Sequence, residues 1–442
     1  MKGTRTMSKL YKYSRFNIIV KEEDNRVLLY NTYSLRYCWI PKSDFDDIKD
    51  NQSIDLEDVP VYLAKEKFIV KSNVNEFYSD RHAKINHIDF EVTPFCNENC
   101  IHCFNHWRTS ADKSNDIKVN NKITEEDYIR ITEKILDLQP NDVLVTGGEP
   151  LSVFNKIMRS LDLMIEHGIK LTLNTNGIFL NDEIADYISK NNIALFISLP
   201  CSDIGICDKI TGTSGSLEKI SKSILLANQH NINLAINMVV TKMNINYIYS
   251  TAEYVKNELK RKRFAVTKAM LPCNSNHVIK DIILNYNDFQ FMLNELLKIR
   301  DNLKMEVDSA WEYSLCGLSN PEQIKQFAFR RRCRAGAEHI CVNWNGDIKP
   351  CSISSNVYGN IIKDEILDVI DRMACWRDNS LLPKECISCK HLKYCGGGCR
   401  VDAENTYGKK NHIDSTANIN NKDIDYEEYF KAFIQNNIKA RH

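Results

Sequence analysis

The chain offers no net charge to a partner. Its 58 Lys and Arg residues balance its 58 Asp and Glu residues, for a formal net charge of +0. Without a broad basic field, a nucleic-acid partner is not expected. Long hydrophobic runs are missing too. No early apolar segment leads into a small-residue cleavage site, and no uninterrupted apolar stretch reaches bilayer length. The expectation is a soluble, cytoplasmic protein with no membrane partner. Cysteine, by contrast, is abundant, at 16 of 442 residues. In a reducing compartment so many thiols do not suit a disulfide framework, and metal or cluster ligation is the better reading. The length points to two or three domains.

The densest group of thiols is Cys96-Asn97-Glu98-Asn99-Cys100-Ile101-His102-Cys103, which follows a strand-like run at 88–92 and the tripeptide Thr93-Pro94-Phe95. Three thiolates so close in sequence can converge on one iron–sulfur cluster and leave one iron without a protein ligand. A zinc site is the alternative, with His102 or His106 as fourth ligand. The spacing and position resemble the signature of radical S-adenosylmethionine (SAM) enzymes. That resemblance implies a 4Fe–4S cluster on Cys96, Cys100 and Cys103. Its open iron holds SAM, which is cleaved reductively to a 5′-deoxyadenosyl radical.

From about residue 88 to residue 300, strand and helix patterns alternate. Strands are expected at 88–92, 143–146, 171–174, 194–199, 234–240 and 264–270. Helices are expected at 125–138, 156–167, 182–190, 217–230 and 247–259. Thr124 followed by Asp127 marks a capped helix start. Six strands alternating with helices imply an α/β fold, a parallel barrel-like sheet with helices outside. With the resemblance this becomes a partial (β/α)6 radical SAM barrel. Chemistry in such barrels gathers at the carboxyl ends of the strands.

Thr146-Gly147-Gly148-Glu149-Pro150 stands at the second of those ends. Two glycines allow a close backbone approach, and Glu149 can accept hydrogen bonds from an ammonium group. The stretch matches the family motif that holds the SAM amino group. Asn174-Thr175-Asn176-Gly177 ends the third strand, and Ser198 ends the fourth, where relatives place a serine on the SAM ribose. Relatives usually continue with aspartate and glycine, whereas this chain has Pro200-Cys201. Where they carry an arginine for the SAM carboxylate this chain has Thr211, which leaves Lys209 as substitute or as a plain surface lysine. Cys201, Cys207 and Cys273 are expected to pack in the interior, as is Cys38.

The first eighty-odd residues look like a separate module. Strands are expected at 16–20, 26–30 and 35–40, and helices near 43–49 and 56–67, ending in Phe68-Ile69-Val70. That order suits a winged-helix-like α+β domain. Tyr30-Asn31-Thr32 with Glu66-Lys67-Phe68-Ile69-Val70 resembles the N-terminal domain of peptide-maturing radical SAM proteins. There it often recognises a precursor peptide by pairing an extended leader with a sheet edge. A structural cap on the main domain is the alternative.

The remaining cysteines lie toward the C-terminus. Cys333, Gly346 and Cys351 are followed by Cys386, Cys389, Cys395 and Cys399, the last four separated by two, five and three residues. An Asn345-Gly346 turn within 342–349 suggests a hairpin bringing Cys333 or Cys341 near Cys351. The gaps resemble the SPASM extension of radical SAM enzymes, which implies one or two auxiliary 4Fe–4S clusters; a zinc ribbon is the alternative. By that analogy one cluster uses Cys333, Cys351 and Cys399, with Cys341 or Cys316 as fourth ligand. The second uses Cys386, Cys389 and Cys395. The SPASM pattern ends in a seventh cysteine, and this chain has none after Cys399. Asp414, Asp423 or Asp425 could fill the gap, or the iron could stay open. Cys375 is expected in the core. Tyr426, Tyr429, Phe430, Phe433 and Ile434 have helical spacing, expected to pack back on the barrel.

The expected organisation is a recognition domain at 1–86, a radical SAM core at 87–310, a SPASM domain at 311–405 and a tail helix within 406–442. The resemblance implies an enzyme that takes a hydrogen atom from a ribosomally made precursor peptide. It would form an intrapeptide cross-link, carbon–carbon, ether or thioether, fed by a reductant such as flavodoxin or ferredoxin. A formylglycine-forming sulfatase maturase is the alternative, but Ser352 stands where such relatives have an aspartate base after Cys351. A non-catalytic iron–sulfur or zinc protein that binds peptides is the alternative of another class.

Overall fold

The computed structural model describes residues 10–439, apart from residue 15 and residues 32–35, 51–53, 56–59, 66–67, 72–84, 105–109, 272–279, 329–331, 379 and 422–423. His106, Cys273 and Asp423 lie outside the described residues, as do Thr32 and Glu66-Lys67.

The first strands are β1 (Leu10–Tyr13), β2 (Asn17–Glu23), β3 (Arg26–Asn31), β4 (Arg36–Pro41), β5 (Ile54–Asp55) and β6 (Ile69–Lys71). They form two antiparallel sheets, β2-β3-β4 and β5-β1-β6. Helix Lys42–Asp50 falls where its pattern predicts, whereas the longer helix expected at 56–67 is reduced to Val61–Lys65. Val27 and Leu29 on β3 share a small core with Phe45, Ile48 and Leu63, and Cys38 packs against it. Leu28 and Tyr30, the alternate residues, turn into the main core of the molecule. A strand buried on both faces needs an unbroken apolar run, which Val27-Leu28-Leu29-Tyr30 supplies.

The central sheet contains β7 (His87–Thr93), β8 (Asp142–Gly147), β9 (Lys170–Thr175), β10 (Ala194–Ser198), β11 (Leu234–Val240) and β12 (Arg263–Lys268). These six run parallel in sequence order, as the alternating pattern predicts. Two further parallel strands flank them, β13 (Glu306–Ser309) beside β12 and β14 (His339–Asn343) beside β7. The hairpin partners β15 (Asp347–Lys349) and β16 (Gly359–Asn360) extend the β14 edge antiparallel. Gly346 forms the expected turn between β14 and β15, with φ +86. The sheet is therefore wider than the six strands expected: β13 is too short and polar to stand out by pattern, and the expected hairpin at 342–349 gives no sign that its first strand pairs with β7.

Alternation along β7 explains its placement. Ile88, Phe90 and Val92 enter the main core. The ring of Tyr128 meets Phe90 edge-on, and its hydroxyl donates to the Val92 carbonyl at 2.7 Å. Tyr128 lies on helix Glu125–Asp137, whose start carries the full Thr124–Asp127 capping box. Each buried aliphatic on this face contributes about 1.5–3 kcal/mol. Asp89, Glu91 and Thr93 point to the opposite face, which Thr146, Ser198 and Asn237 also line from neighbouring strands.

The C-terminal helix Tyr426–Lys439 runs against β2 and helix Pro321–Phe327, and its Tyr426 and Phe430 join the main core. The reason is local: Tyr426 donates to the Leu315 carbonyl at 2.8 Å, and Phe430 stacks on Tyr394. Among the described residues, no helix is long and apolar enough to cross a membrane.

Candidate functional site

The Cys96–Cys103 loop leaves the carboxyl end of β7 and is clamped from two sides by main-chain hydrogen bonds. Gly148 N–H donates to the Thr93 carbonyl and Glu149 N–H to the Phe95 carbonyl, both at 2.7 Å. Across the loop, Asn99 and Ile101 donate to the Thr211 and Ile210 carbonyls at 2.8 and 2.9 Å. Those carbonyls end helix Ile204–Thr211, which follows β10. The glycines are required by this packing. Gly147 has φ +134, and a Cβ on Gly148 would lie 2.0 Å from the Phe95 oxygen. The close approach expected toward a ligand is thus made first to the cysteine loop itself.

Cys96 is exposed at the mouth of the sheet, and Cys100 and Cys103 are half-buried. Burial holds the Cys100 thiol well above the usual range, and Glu98 and the other two thiols add to the effect. Three thiols facing one another beside a carboxylate repel as thiolates, so ligation requires a cation among them. Among the described residues, only His87, Asp89 and His339 bring three donor atoms within 4.8 Å of one another. The cysteines, and His102 with them, are therefore spread more widely than one tetrahedral ion requires, given a metal–sulfur bond of about 2.3 Å. A larger iron–sulfur group suits that spacing.

Glu149 is fully buried. One oxygen accepts from Leu151 N–H at 2.9 Å and from the Thr175 hydroxyl at 2.5 Å, and the other from Asn176 N–H at 2.8 Å. Burial nevertheless pushes its carboxyl up to about 7. Three donors leave about one lone-pair position free on the carboxylate. Asn176 also donates from its side chain to Asn97 in the cysteine loop at 2.8 Å. The fold thus gathers Gly147, Gly148, Glu149, Pro150 and Asn176 around the loop. Ser198 sits half-buried at the end of β10. Lys209 is exposed on its helix and makes no hydrogen bond or ion pair among the described residues. Thr211 is buried, and its hydroxyl lies 3.0 Å from the Cys207 carbonyl and 2.9 Å from the Ser216 hydroxyl. Cys201 and Cys207 are core residues, as expected.

Sequence reasoning missed the charged network on the inner face of β7. Lys349 of β15 reaches Glu91 at 2.9 Å, and His339 of β14 reaches Asp89 at 3.0 Å. The Ser352 hydroxyl also bonds Asp89. The available signal was Asp89 and Glu91 at alternate positions of an otherwise apolar strand. Their partners lie some 250 residues away and become neighbours only through the β7–β14 pairing.

The C-terminal cysteines fall into two groups. Burial pushes Cys333 and Cys351 up to about 12, with Cys351 acting on the first and Cys399 on the second. These three lie near one another. Cys341 is buried on β14, close to Glu91 and to Cys351. Cys386 and Cys389 sit on one short turn, joined by an N–H to carbonyl bond at 3.1 Å, with Cys395 beside Cys386. Cys316, offered as a fourth ligand of the first group, instead lies with the second: Leu315 N–H donates to Cys395 Sγ at 3.3 Å. The turn after β13 carries it there. Cys375 is half-buried, its sulfur 3.9 Å from the Tyr358 hydroxyl.

Fold and site together define a radical SAM enzyme. Residues 90–255 match the model of the radical SAM superfamily, so the chain carries a radical SAM domain. Among curated proteins it is 24% identical over 400 residues to the radical SAM cyclopropyl synthase TigE of Paramaledivibacter caminithermalis, covering 83% of this chain and 81% of the relative. It is also 24% identical over 366 residues to the antilisterial bacteriocin subtilosin biosynthesis protein AlbA of Bacillus subtilis, covering 79% and 74%. The crystal structure of Streptococcus suis SuiB bound to precursor peptide SuiA shares the fold with a TM-score of 0.58 at 18% identity. That match covers 92% of this chain and 99% of SuiB.

Proposed function

We propose that the protein is a radical SAM peptide maturase that forms a cross-link within a ribosomally made precursor. The observation that carries this reading is the Cys96–Cys103 loop, clamped between the Gly147-Gly148 turn and helix Ile204–Thr211 at the carboxyl ends of parallel strands. The match to a bacteriocin-biosynthesis relative supports a peptide as substrate. When bound, SAM on its cluster supplies a 5′-deoxyadenosyl radical for an unactivated C–H bond, and auxiliary clusters supply an acceptor for the electron that cross-linking releases.

The chain's own residues bind and orient. Cys96, Cys100 and Cys103 hold the first 4Fe–4S cluster. Glu149 offers its remaining lone pair to the SAM ammonium, in the turn shaped by Gly147, Gly148 and Pro150. Asn176 and Ser198, at the next two strand ends, would hold the nucleoside. Cys333, Cys351 and Cys399, with Cys341, hold one auxiliary cluster, and Cys386, Cys389 and Cys395 hold another. The first 86 residues act as a leader-recognition domain. β4 pairs only with β3 among the described residues, which leaves an edge for an extended peptide. A reductant such as flavodoxin or ferredoxin delivers the starting electron. Formylglycine formation fits less well, because Ser352 replaces the expected base and the carboxylate it meets, Asp89, is already bound by His87 and His339.

The test is to incubate the anaerobically reconstituted enzyme with SAM, a reductant and a precursor encoded beside it. The product should be two hydrogens lighter per link, with 5′-deoxyadenosine formed in step. A precursor of unchanged mass would count against cross-linking, and the absence of SAM cleavage would overturn the enzyme reading.

A further inference from the structure

We propose that Cys316 supplies the fourth thiolate of the second auxiliary cluster, in place of the seventh SPASM cysteine that this chain lacks after Cys399. The inference rests on the reading that the C-terminal cysteines hold clusters. Cys316 lies in the 3-10 turn Leu315–Gly317, which follows β13 and precedes Cys386 by seventy residues. That turn is held against Cys395 of the Cys386/Cys389/Cys395 group. Leu315 N–H donates to Cys395 Sγ at 3.3 Å, while its carbonyl accepts from Tyr426 at 2.8 Å. The Cys316 carbonyl accepts from Asn421 Nδ2 at 3.0 Å. A Cβ on Gly317 would fall 2.7 Å from the Thr416 oxygen, so the turn has no room to shift toward the 414–416 segment.

Cys316 itself is half-buried beside the same thiols. Its nearest ionisable neighbours are Cys395, Asp414 and Cys386. Cys386 in turn faces Cys395 and Cys389. Neither Cys333 nor Cys351 has Cys316 among its principal neighbours, so the two groups are distinct.

Of the oxygen donors that could have filled the gap, the two among the described residues, Asp414 and Asp425, are otherwise engaged. Asp414 Oδ2 accepts from Ser314 N–H at 3.0 Å, the Ser314 hydroxyl at 2.9 Å and Cys399 N–H at 3.1 Å. Its Oδ1 accepts from Thr416 N–H at 3.0 Å and the Thr416 hydroxyl at 2.7 Å. Five donors exhaust a carboxylate with about four lone-pair sites. Asp425 is exposed and caps the last helix, accepting from Glu427 N–H at 3.0 Å. A fourth thiolate closes the iron site, so this cluster relays electrons and does not bind substrate at an open iron.

The experiment uses the full chain carrying Cys96→Ala, Cys100→Ala and Cys103→Ala, so that only auxiliary clusters contribute. Iron and sulfide are counted after anaerobic reconstitution, with Mössbauer and EPR spectra of the oxidised and reduced states. This parent should hold about eight iron atoms. Adding Cys316→Ala should either remove about four of them or produce the paramagnetic signal of an oxidised three-iron cluster. Cys375→Ala in the same background should leave count and spectra unchanged. Parental spectra in Cys316→Ala would overturn the role of Cys316. A parent holding no iron would overturn the auxiliary-cluster reading beneath it. If Cys316→Ala fails to fold, Cys316→Ser decides. An iron subsite with altered Mössbauer parameters supports oxygen replacing sulfur at that position, and an unaltered spectrum overturns the assignment.

Discussion

The loop of Cys96, Cys100 and Cys103 sits at the mouth of the sheet, one cysteine exposed, and is held by four main-chain hydrogen bonds from its neighbours. Beyond residue 310, Cys341, Cys395 and Cys399 are buried and no described cysteine is exposed, and side chains help to hold the region. Asp414 alone gathers Ser314, Cys399 and Thr416. Lys268 at the end of β12 pairs with the buried Asp402 at 2.7 Å and ties the helix after Cys399 to the sheet. The contrast matches two demands on metal sites. A site that admits a ligand needs an open position and a rigid backbone around it, whereas a site that only passes electrons is served by closure and burial.

The largest effect that could break this comparison is Cys100→Ala. On the proposed reading it abolishes SAM cleavage and removes about four iron atoms, while the C-terminal clusters keep their EPR signals. Loss of all iron together would mean that the two regions do not assemble independently. Next comes Asp414→Ala, which strips five hydrogen bonds from a buried staple. The apo protein should lose about 3–5 kcal/mol in denaturant unfolding. Binding of SAM at the mouth should change little in whatever fraction folds, and a loss below about 1 kcal/mol would show that the side-chain staple does not hold the region.

Gly148→Ala probes the backbone clamp. The added methyl meets the Phe95 oxygen at 2.0 Å, so the loop must move. A cost of about 1–3 kcal/mol is expected from overpacking, with retention of the first cluster reduced more than that of the others. Equal retention across all clusters would blur the distinction between the two regions.

The smallest effect is in pH. Burial raises the Glu149 carboxyl from its ordinary value to about 7, so its protonated form is favoured in the folded state. The stability it contributes is full below about pH 4.5 and is lost as pH rises through about 7. Apo protein should therefore unfold at lower denaturant near pH 8 than near pH 5, and Glu149→Gln should flatten that slope by about 1–2 kcal/mol. A slope unchanged in the variant would place the titrating group elsewhere. An ammonium ligand on Glu149 should reverse the trend.

Much of this architecture was legible in sequence because it is local. The 234–240 strand and the 182–190 helix fall on the residues that their patterns indicated, and the Thr124–Asp127 box caps its helix as expected. The role of Gly147 and Gly148 was half legible. A pair of glycines announces a close approach, but the pattern does not say that Phe95 is what comes close. The polar face of β7 was legible only as an oddity, since Asp89 and Glu91 meet His339 and Lys349 through a strand pairing with no local signature.

Cysteine spacing by itself determined where thiolates cluster along the chain. Residues three or four apart stay near each other in any conformation, so Cys96, Cys100 and Cys103 form a chain of close neighbours before folding begins, as do Cys386 and Cys389. The tertiary structure decided which distant thiol joins which group. Cys316 came to Cys395 because β13 pairs with β12 and Tyr426 pins the following turn, and long-range pairing of that kind leaves no trace in the spacing of residues.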